Sequence, residues 1–534
     1  MKRLFALLLS LALLLAGCAA EATPTQTAPS AGPAPTTEPT ESAASDESAA
    51  VDILLSDEGV ICASDAVYTA NDIIYYEADR DESYGGGTDA DAHTAVEAAA
   101  HAVVHITAPG TYRVSGTLSA GQIFVDLGEG AEDDPAAVVT LLLDKASITC
   151  TVAPAILFYR VYECGDRENF TLTPDLRGAG AVVALADGSE NLLRGAYVAP
   201  IYAPGTTETA HEYDGALYAR QSLRLEGGAG QLLVSAENEG ICSALHLEIN
   251  GGILAVNAQN DGINTNADGI SVTTVNSGTL YITGGMGAEG DGIDSNGALV
   301  VNGGTLYATA NERAGDSGVD ADLGIYLNGG TVIATGSGMD SVHQASKLQY
   351  MELNFARTVT TGSVVSLGRD GESVYSYTAL RDFTSLIIAG AFLELNVPYT
   401  LTVNGVVQQH RGSGWSGGFE IPGIGGEDGP PDVEIPPQPT QPLLPAGAEE
   451  PTEGISDAPP PSEGETPPSD GLEPPEGAGL PDNGIVEITP IPGGSLGGPN
   501  EITLPGFIVQ TGASTEFILT ETIHSFFNIC DAME

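Results

Sequence analysis

The sequence predicts an all-β protein whose central part is a right-handed, single-stranded parallel β-helix (a solenoid) with irregular capping strands. Residues 214–356 contain short alternating strands separated by glycine-rich corners. One corner repeats at a fixed interval of 26 residues, at Asn250, Asn276, Asn302, Asn328 and Asn354. No segment keeps the 3.6-residue period of a helix. A strand–turn–strand copy cannot bury its apolar side alone, but stacked copies can.

The clearest copy, DGIDSNGALVVNGGTLYATA, occupies residues 291–310. Related copies begin at residues 239, 261 and 317, with a weaker first copy at 214 and a further start at 337. We expect the aliphatic residue that follows Asp-Gly to point inward. One strand further on, Leu254, Leu280, Leu306 and Val332 should form an aliphatic ladder. The asparagines should stack as a ladder of side-chain amides. Residues 100–200 are less periodic and are predicted to form the first, irregular coils and the cap.

Composition divides the chain into five segments. Residues 1–18 resemble a lipoprotein signal peptide that ends in the lipobox Leu15-Ala16-Gly17-Cys18, which predicts lipidation of Cys18. We expect residues 19–50 to be a disordered stalk rich in Pro, Thr and Ser, residues 51–420 to be the β-helix domain, and residues 421–500 to be an acidic, disordered Pro/Gly/Glu-rich linker. Residues 501–534 form a short C-terminal segment to which the sequence assigns no structure.

The formal net charge is −55, and the chain contains three lysines. Such a charge argues against binding to nucleic acid or to anionic lipid surfaces, and it favours bound cations. Cysteines other than Cys18 are odd in number and lack metal-type CxxC spacing. A Cys150–Cys164 disulfide is possible, but sequence alone cannot assign it.

The acids at the start of each copy predict a calcium-binding surface. Alternation turns them outward, and adjacent coils lie about 4.8 Å apart, so like charges would stack. Carboxylates at that distance need a proton or a bridging cation. Clustered oxygen ligands suit Ca²⁺; the other interpretation is solvated turn residues. The expected ligands are Asp261, Asn264, Asn266, Asp291, Asp294, Asn296, Asp320, Asp322 and Asp340.

A second surface is predicted on the far strand of the copies. Tyr281 and Tyr307 should be direct neighbours, with Thr283 and Thr309 beside them. Adjacent rings edged by hydroxyls would make a platform for a sugar chain. The alternative is that the tyrosines only stabilise the strands, because aromatic residues favour β-structure.

The copies and several segments before them resemble a known family, the secreted carbohydrate-binding domain proteins with a calcium-bearing parallel β-helix. The likeness is carried by GTYRVSGTLSAGQIFV (110–125), VVTLLLDKASITC (138–150), ADGSENLL (186–193), DGALYARQSLRLEGG (214–228) and DGINTN (261–266). It implies a pectate-lyase-like but non-catalytic fold that binds polysaccharide, either acidic pectin-like chains such as polygalacturonate or cellulose. Two copies depart from the pattern: EGICSA has Cys242 where an acid or amide is expected, and SGMDSV has Ser337 at the outer acid position.

Binding is favoured over catalysis. A polysaccharide lyase needs a base beside Ca²⁺, and Arg313 and Lys347 are the two basic residues between positions 225 and 356. We therefore expect a monomeric, extracytoplasmic binding protein held to the cell membrane through Cys18. The alternatives are a Ca²⁺-dependent lyase and a surface adhesin or structural solenoid that contacts proteins.

Overall fold

The computed structural model describes residues 50–413 and the backbone of five short strands between residues 501 and 530. Within these residues the chain is all-β, as predicted: a single five-residue α-helix, α1 (Ala95–Ala99), and one 3₁₀ turn (Ala131–Asp133) accompany 36 strands. The predicted signal peptide, the lipidation site at Cys18, the stalk up to residue 49 and the linker of residues 421–500 lie outside the described residues.

The strands before the copies run along the first part of the chain. They are β1 (Val51–Leu55), β2 (Ile61–Cys62), β3 (Val67–Ala70), β4 (Ala102–Ile106), β5 (Gly110–Leu118), β6 (Gly121–Asp126), β7 (Val139–Cys150), β8 (Ile156–Arg160), β9 (Ala181–Leu185), β10 (Glu190–Gly195), β11 (Val198–Tyr202) and β12 (Thr209–Tyr213).

The copies supply the next twelve strands. They are β13 (Gly215–Ala219), β14 (Leu223–Gly227), β15 (Gln231–Ala236), β16 (Glu239–Ser243), β17 (Leu247–Ala258), β18 (Ile263–Thr265), β19 (Val272–Thr283), β20 (Ile293–Ser295), β21 (Ala298–Val301), β22 (Thr305–Thr309), β23 (Ile325–Leu327) and β24 (Thr331–Gly336).

The remaining strands close the C-terminal end. They are β25 (Tyr350–Val359), β26 (Val364–Arg369), β27 (Glu372–Thr378), β28 (Phe383–Gly390), β29 (Pro398–Val403), β30 (Val406–Val407), β31 (Gln409–Ser413), β32 (Glu501–Leu504), β33 (Phe507–Gln510), β34 (Ala513–Ser514), β35 (Phe517–Ile518) and β36 (Phe526–Cys530).

Successive copies pair in parallel along three rows of strands. The row that carries the acids, here called the acidic sheet, runs β20-β18-β16-β13-β8-β6-β4-β3 and is parallel except between β3 and β4. A second row runs β7-β10-β15-β17-β19-β22-β24, and a third runs β7-β9-β14-β17-β19-β21-β23. The strands of residues 102–195 join these rows, so the region predicted to be irregular pairs as regularly as the copies.

The aliphatic ladder predicted inside the copies is confirmed. Leu254, Leu280, Leu306 and Val332 are register partners in the second row, and each is at most 1% exposed. Fully burying one such side chain contributes about 1.5–3 kcal/mol relative to leaving it in water. The ladder forms part of one continuous core that extends from Ile53 to Ala389.

The amide ladder is confirmed over four copies. The side-chain Nδ2 of each asparagine donates to Oδ1 of the previous one: Asn276 to Asn250 at 2.8 Å, Asn302 to Asn276 at 2.9 Å and Asn328 to Asn302 at 3.0 Å. Asn354 does not continue the series as the 26-residue spacing predicted. It lies in β25 and pairs with Ser385 across an antiparallel strand pair.

An antiparallel region closes the end of the rows. Strand β28 pairs antiparallel with both β24 and β25, and β26 and β27 form a hairpin. A second hydrophobic core, which includes Ile333, Met351 and Leu401, lies in this region. The C-terminal segment, to which the sequence assigned no structure, contributes β36 alongside β25. Cys150 and Cys164 are both free thiols, so the possible disulfide between them is not formed.

Candidate functional site

The start of each copy brings its acids to the outer face of the acidic sheet. The inward Ile241, Ile263 and Ile293 are register partners with no exposed surface. The glycine before each is required by close approach: a Cβ on Gly262 would lie 2.3 Å from Cγ2 of Ile282 and 2.6 Å from the carbonyl oxygen of Gly292. Because side chains alternate between the two faces of a strand, the residue after each isoleucine points to the opposite, outer face of the acidic sheet, where Cys242 and Asn264 are nevertheless buried.

These outward residues form a central column in register. Cys242, Asn264 and Asp294 are direct partners on neighbouring strands. Asp320 follows, since its backbone N–H donates to the carbonyl oxygen of Ile293 at 2.8 Å. The structure therefore brings these predicted site residues together.

Asp340 lies near Asp320 without the strand pairing that aligns the earlier members of the column. No ladder pair joins Met339 to Val319 in the described residues; instead Val342 forms an isolated parallel bridge with Ile325. The Asp340 carboxylate nevertheless accepts the backbone N–H of Ala321 at 3.3 Å. The last copy thus leaves the acidic sheet while its acid stays near Asp320.

An outer column of acids runs beside the central one. The Asp261 carboxylate accepts the backbone N–H of Asp291 at 2.7 Å, and the Asp291 carboxylate accepts the backbone N–H of Ser317 at 2.6 Å. Each acid therefore holds the backbone of the next copy with one oxygen. Asp261 is 7% exposed, so its charge has been largely removed from water.

The third predicted row is less uniform. The Asn296 side chain donates to Asp268 at 2.8 Å, and the Asn266 side chain donates to Asp214 at 3.3 Å. Asp322 is exposed, and its negative charge acts on Asp294. These residues flank the central column without forming a continuous row of carboxylates.

Burial among like charges perturbs the acids strongly. Burial raises the pKa of Asp294 to about 7, and the charges of Asp261 and Asp320 add to the shift. Burial, opposed by the hydrogen bond from Ser317, raises the pKa of Asp291 to about 8. The pKa of Asp261 and of Asp340 rises to about 6, again mainly through burial.

No basic side chain offsets these charges in the described part of the chain. Arg313, with its side chain 87% exposed, lies 3.7 Å from Glu312, and Arg381 pairs with the same glutamate. Lys347 is exposed. The column must therefore hold protons or cations to remain compact at neutral pH.

Three acids near the column were missed by the sequence analysis. Glu352, 1% exposed, accepts the backbone N–H of Val342 at 2.8 Å, and burial raises its pKa to about 7. The position of Glu352 between the apolar Met351 and Leu353 was the sequence signal that could have identified it. The Asp316 carboxylate accepts the backbone N–H of Gly290 at 2.7 Å. The third acid is Asp214. The sequence aligns Asp214-Gly215 with Glu239-Gly240, but in the structure Gly215 is the register partner of Glu239, so the first copy is displaced by one residue.

The tyrosine pair is stacked as predicted. The ring centroids of Tyr281 and Tyr307 lie 5.1 Å apart with planes 7° from parallel, and Tyr281 is 41% exposed. Sequence analysis missed Tyr375 and Tyr377: the Tyr377 ring stacks on Tyr307 with centroids 6.1 Å apart, and the hydroxyls of Tyr307 and Tyr375 lie 3.3 Å apart. Both lie in β27 of the antiparallel region. The repeat pattern does not extend to this region, so it could not predict that these rings pack against the tyrosine pair.

The two threonines beside the tyrosines differ. Thr283 is half-buried. Thr309 is 1% exposed, and its hydroxyl lies 3.5 Å from the carbonyl oxygen of Ile282. Its predicted contact with a surface ligand is therefore wrong, because Thr309 does not reach the surface.

A family described as carbohydrate-binding domain-containing protein matches residues 100–166 and 175–398, more than half of the 534 residues. The chain belongs to this family. In this carbohydrate-binding domain-containing protein, both the acid columns and the tyrosine pair lie inside the matched ranges. Membership supports a carbohydrate-binding role for the chain.

A solved structure described as a polysaccharide lyase-like protein from C. thermocellum is 22% identical to this carbohydrate-binding domain-containing protein. The alignment covers 55% of this chain and 94% of that chain, with a TM-score of 0.35. No curated protein matches the sequence. Within the described residues, no helix is both long and apolar enough to span a bilayer.

Proposed function

We propose that this chain is a cell-surface lipoprotein that binds polysaccharide through Ca²⁺ ions held along a right-handed parallel β-helix. Family membership supports the carbohydrate partner. The in-register parallel pairing of successive copies supports the β-helix. The polysaccharides proposed are acidic pectin-like chains, such as polygalacturonate, or cellulose.

The observation that carries this proposal is the stacking of Asp294 between Asn264 and Asp320 without a basic partner among the described residues. Carboxylate and amide oxygens are the ligands that Ca²⁺ prefers, and it accepts six to eight of them in loose geometry. The donor set of Asp261, Asp291, Asp294 and Asp320, with Asp340 beside them, fits that ion.

Bound Ca²⁺ would supply the positive charge that this surface lacks. A chain with a net charge of −55 should repel an anionic glycan. Ions held by the column reverse the local charge, so carboxylates of a uronate chain can approach it. Tyr281 and Tyr307 offer a separate stacking surface for sugar rings, either for the same chain or for a neutral glycan.

We also propose that the lipidated Cys18 anchors a monomer to the outer face of the cell membrane. The lipobox that ends in Cys18 supports this location. An extracellular location also suits weak calcium sites, because calcium is abundant enough outside a cell to fill them.

A polysaccharide pull-down tests the proposal. The purified protein is incubated with insoluble polygalacturonate in Ca²⁺ and in EGTA, and the retained fraction is measured. We expect retention in Ca²⁺, loss in EGTA and weakened retention in Asp294→Asn. Asp52→Asn is the matched control, because the Asp52 side chain is 83% exposed and lies away from the column on β1.

Retention that is unchanged by EGTA and by Asp294→Asn would rule out calcium bridging. Retention on cellulose that depends on Tyr281 instead would favour a neutral glycan. New ultraviolet absorbance from unsaturated uronides would show that the protein is a lyase. Absence of glycan binding together with capture of one defined wall protein would favour the adhesin.

A further inference from the structure

A different cluster of side chains lies at the first copies of the acidic sheet, where Cys242 interrupts the pattern of acids and amides. Asp214, Glu239 and Cys242 each present one carboxylate oxygen or sulfur, and the three atoms lie within 4.8 Å of one another. Cys242 occupies the column position that Asn264 and Asp294 occupy in the next copies. Glu239 and Cys242 are buried, at 6% and 0% exposed.

Two buried oxygens at this cluster lack hydrogen-bond partners among the described residues. They are Oε2 of Glu239 and Oδ1 of Asn264, and Asn264 is 8% exposed. The Asn264 side-chain nitrogen donates to the other Glu239 oxygen at 2.8 Å, which places its amide against the cluster. Buried polar atoms in proteins almost always have a partner, so these two oxygens are available to bind a ligand at the cluster.

The charges around the cluster have one sign. The negative charges of Asp214 and Asp261 oppose ionisation of Glu239, and the negative charge of Glu212 opposes ionisation of Asp214. The Cys242 thiol donates a hydrogen bond to Oδ1 of Asn266 at 3.1 Å. No lysine or arginine forms an ion pair with the three residues in the described part of the chain. A dication is the ligand that satisfies both the charge and the orphaned oxygens.

We propose that Asp214, Glu239 and Cys242, with the side-chain oxygen of Asn264, hold a thiolate-binding divalent ion of the Zn²⁺ class. Zn²⁺ accepts cysteine sulfur together with carboxylate oxygen, usually with four ligands, whereas Ca²⁺ takes hard oxygen donors. On binding, the Cys242 thiol loses its proton to solvent and the sulfur bonds to the metal. The three side chains Asp214, Glu239 and Cys242 are outside the proposed calcium donor set, and Asn264 lies between the two sites in the central column.

Cobalt and zinc binding to the full chain test this assignment. The protein is stripped with a chelator under reducing conditions and titrated with Co²⁺, and thiolate-to-metal charge-transfer absorption is followed. We expect the band to saturate at one equivalent, to be displaced by Zn²⁺ and to persist in excess Ca²⁺. Loss of the ligand in Cys242→Ser should weaken Zn²⁺ binding at least about 10- to 100-fold. Cys164→Ser, on a half-buried free thiol outside the cluster, should leave the band unchanged.

X-ray absorption of the zinc-loaded wild-type protein keeps the test decisive if Cys242→Ser does not fold. One sulfur neighbour at about 2.3 Å is expected. Either no sulfur neighbour, or a charge-transfer band that survives in a folded Cys242→Ser protein, overturns the assignment and leaves Cys242 as a buried apolar side chain. Asp294→Asn separates the two proposals, since it should impair calcium uptake and keep the cobalt band.

Discussion

Asn264 and Asp294 are direct partners on neighbouring parallel strands, although 30 residues separate them in sequence. Their side chains share the outer face because the chain returns to the same register after each turn of the copies. Acids that are isolated within their own copy therefore form a column in which neighbouring carboxylates raise one another's pKa values.

The stability of the metal-free protein should fall as the pH rises from about 4 to about 8. Burial raises the pKa of Asp291 to about 8 and that of Asp294 to about 7. In this window the folded chain therefore holds protons that the unfolded chain has released. Thermal unfolding in EGTA at pH 5 and pH 8 checks this, and a melting temperature that rises between them would contradict it.

Asp291→Asn should reduce this loss of stability. A one-unit difference in pKa between the folded and unfolded states corresponds to about 1.4 kcal/mol, so removing the charge stabilises the metal-free protein at pH 8. The amide can no longer accept the Ser317 N–H as strongly, which offsets part of the gain. The same melts with Ca²⁺ present should reverse the order of variant and wild type. Asp52→Asn serves as the control, and equal melts for all three proteins in EGTA would count against buried charge repulsion.

Leu306→Ala should destabilise the protein by about 2–5 kcal/mol. Leu306 has no exposed surface and lies between Leu280 and Val332 in the aliphatic ladder. The neighbours in the two adjacent copies are already close-packed, so they cannot move to fill the cavity that the substitution leaves. Urea unfolding measures the loss. Leu233→Ala, on a residue 43% exposed in the same row of strands, should cost less than about 1 kcal/mol; equal losses would show that the ladder is not the core.

Asn302→Ala should cost about 1–2 kcal/mol, because it removes two net side-chain hydrogen bonds. Asn302 donates to Asn276 and accepts from Asn328. Asn328→Ala, which removes one of these bonds, should cost about half as much. Equal effects of the two variants in urea unfolding would mean that the amides do not act as a ladder.

Tyr281→Ala should weaken retention on a neutral glycan such as cellulose, because it removes the exposed ring of the stacked pair. The loss of the aromatic pair should cost about 0.5–1.5 kcal/mol of stability, so binding is compared below the melting temperature of both proteins. Tyr281→Phe keeps the ring and should keep most of the retention. Unchanged retention in Tyr281→Ala would show that the tyrosines stabilise the strands alone.

Sequence reasoning succeeded where one copy specifies its neighbour. The interval between asparagines predicted the amide ladder from Asn250 to Asn328 and the register of the aliphatic ladder, because hydrogen bonds and apolar contacts both require successive copies to coincide. It failed where the partner lies outside the repeat. Asn354 leaves the ladder, and Thr309 lies below the surface, at the end that the antiparallel region closes.

Within the candidate site, the same division holds. Asn264, Asp294 and Asp320 were predictable because they follow the inward residue of successive copies. Asp214 was not, since the register of its strand is displaced by one residue relative to the Asp-Gly signal. The orphaned oxygen of Glu239 was also beyond prediction, because it depends on which way a neighbouring amide turns.

The asparagine ladder advances by 26 residues at every step, whereas 22 residues separate Cys242 from Asn264 and 30 separate Asn264 from Asp294. The spacing is thus constant at the asparagine corner, whereas the segments that connect this corner to the acidic sheet differ in length from copy to copy. Duplication of one whole unit would lengthen the rows of strands without changing the strands at either end, and it would add one more member to the column of acids and amides. Under the proposed function, gain or loss of whole units would therefore change the number of bound Ca²⁺ ions, and each added unit would use the contacts that its neighbours already make.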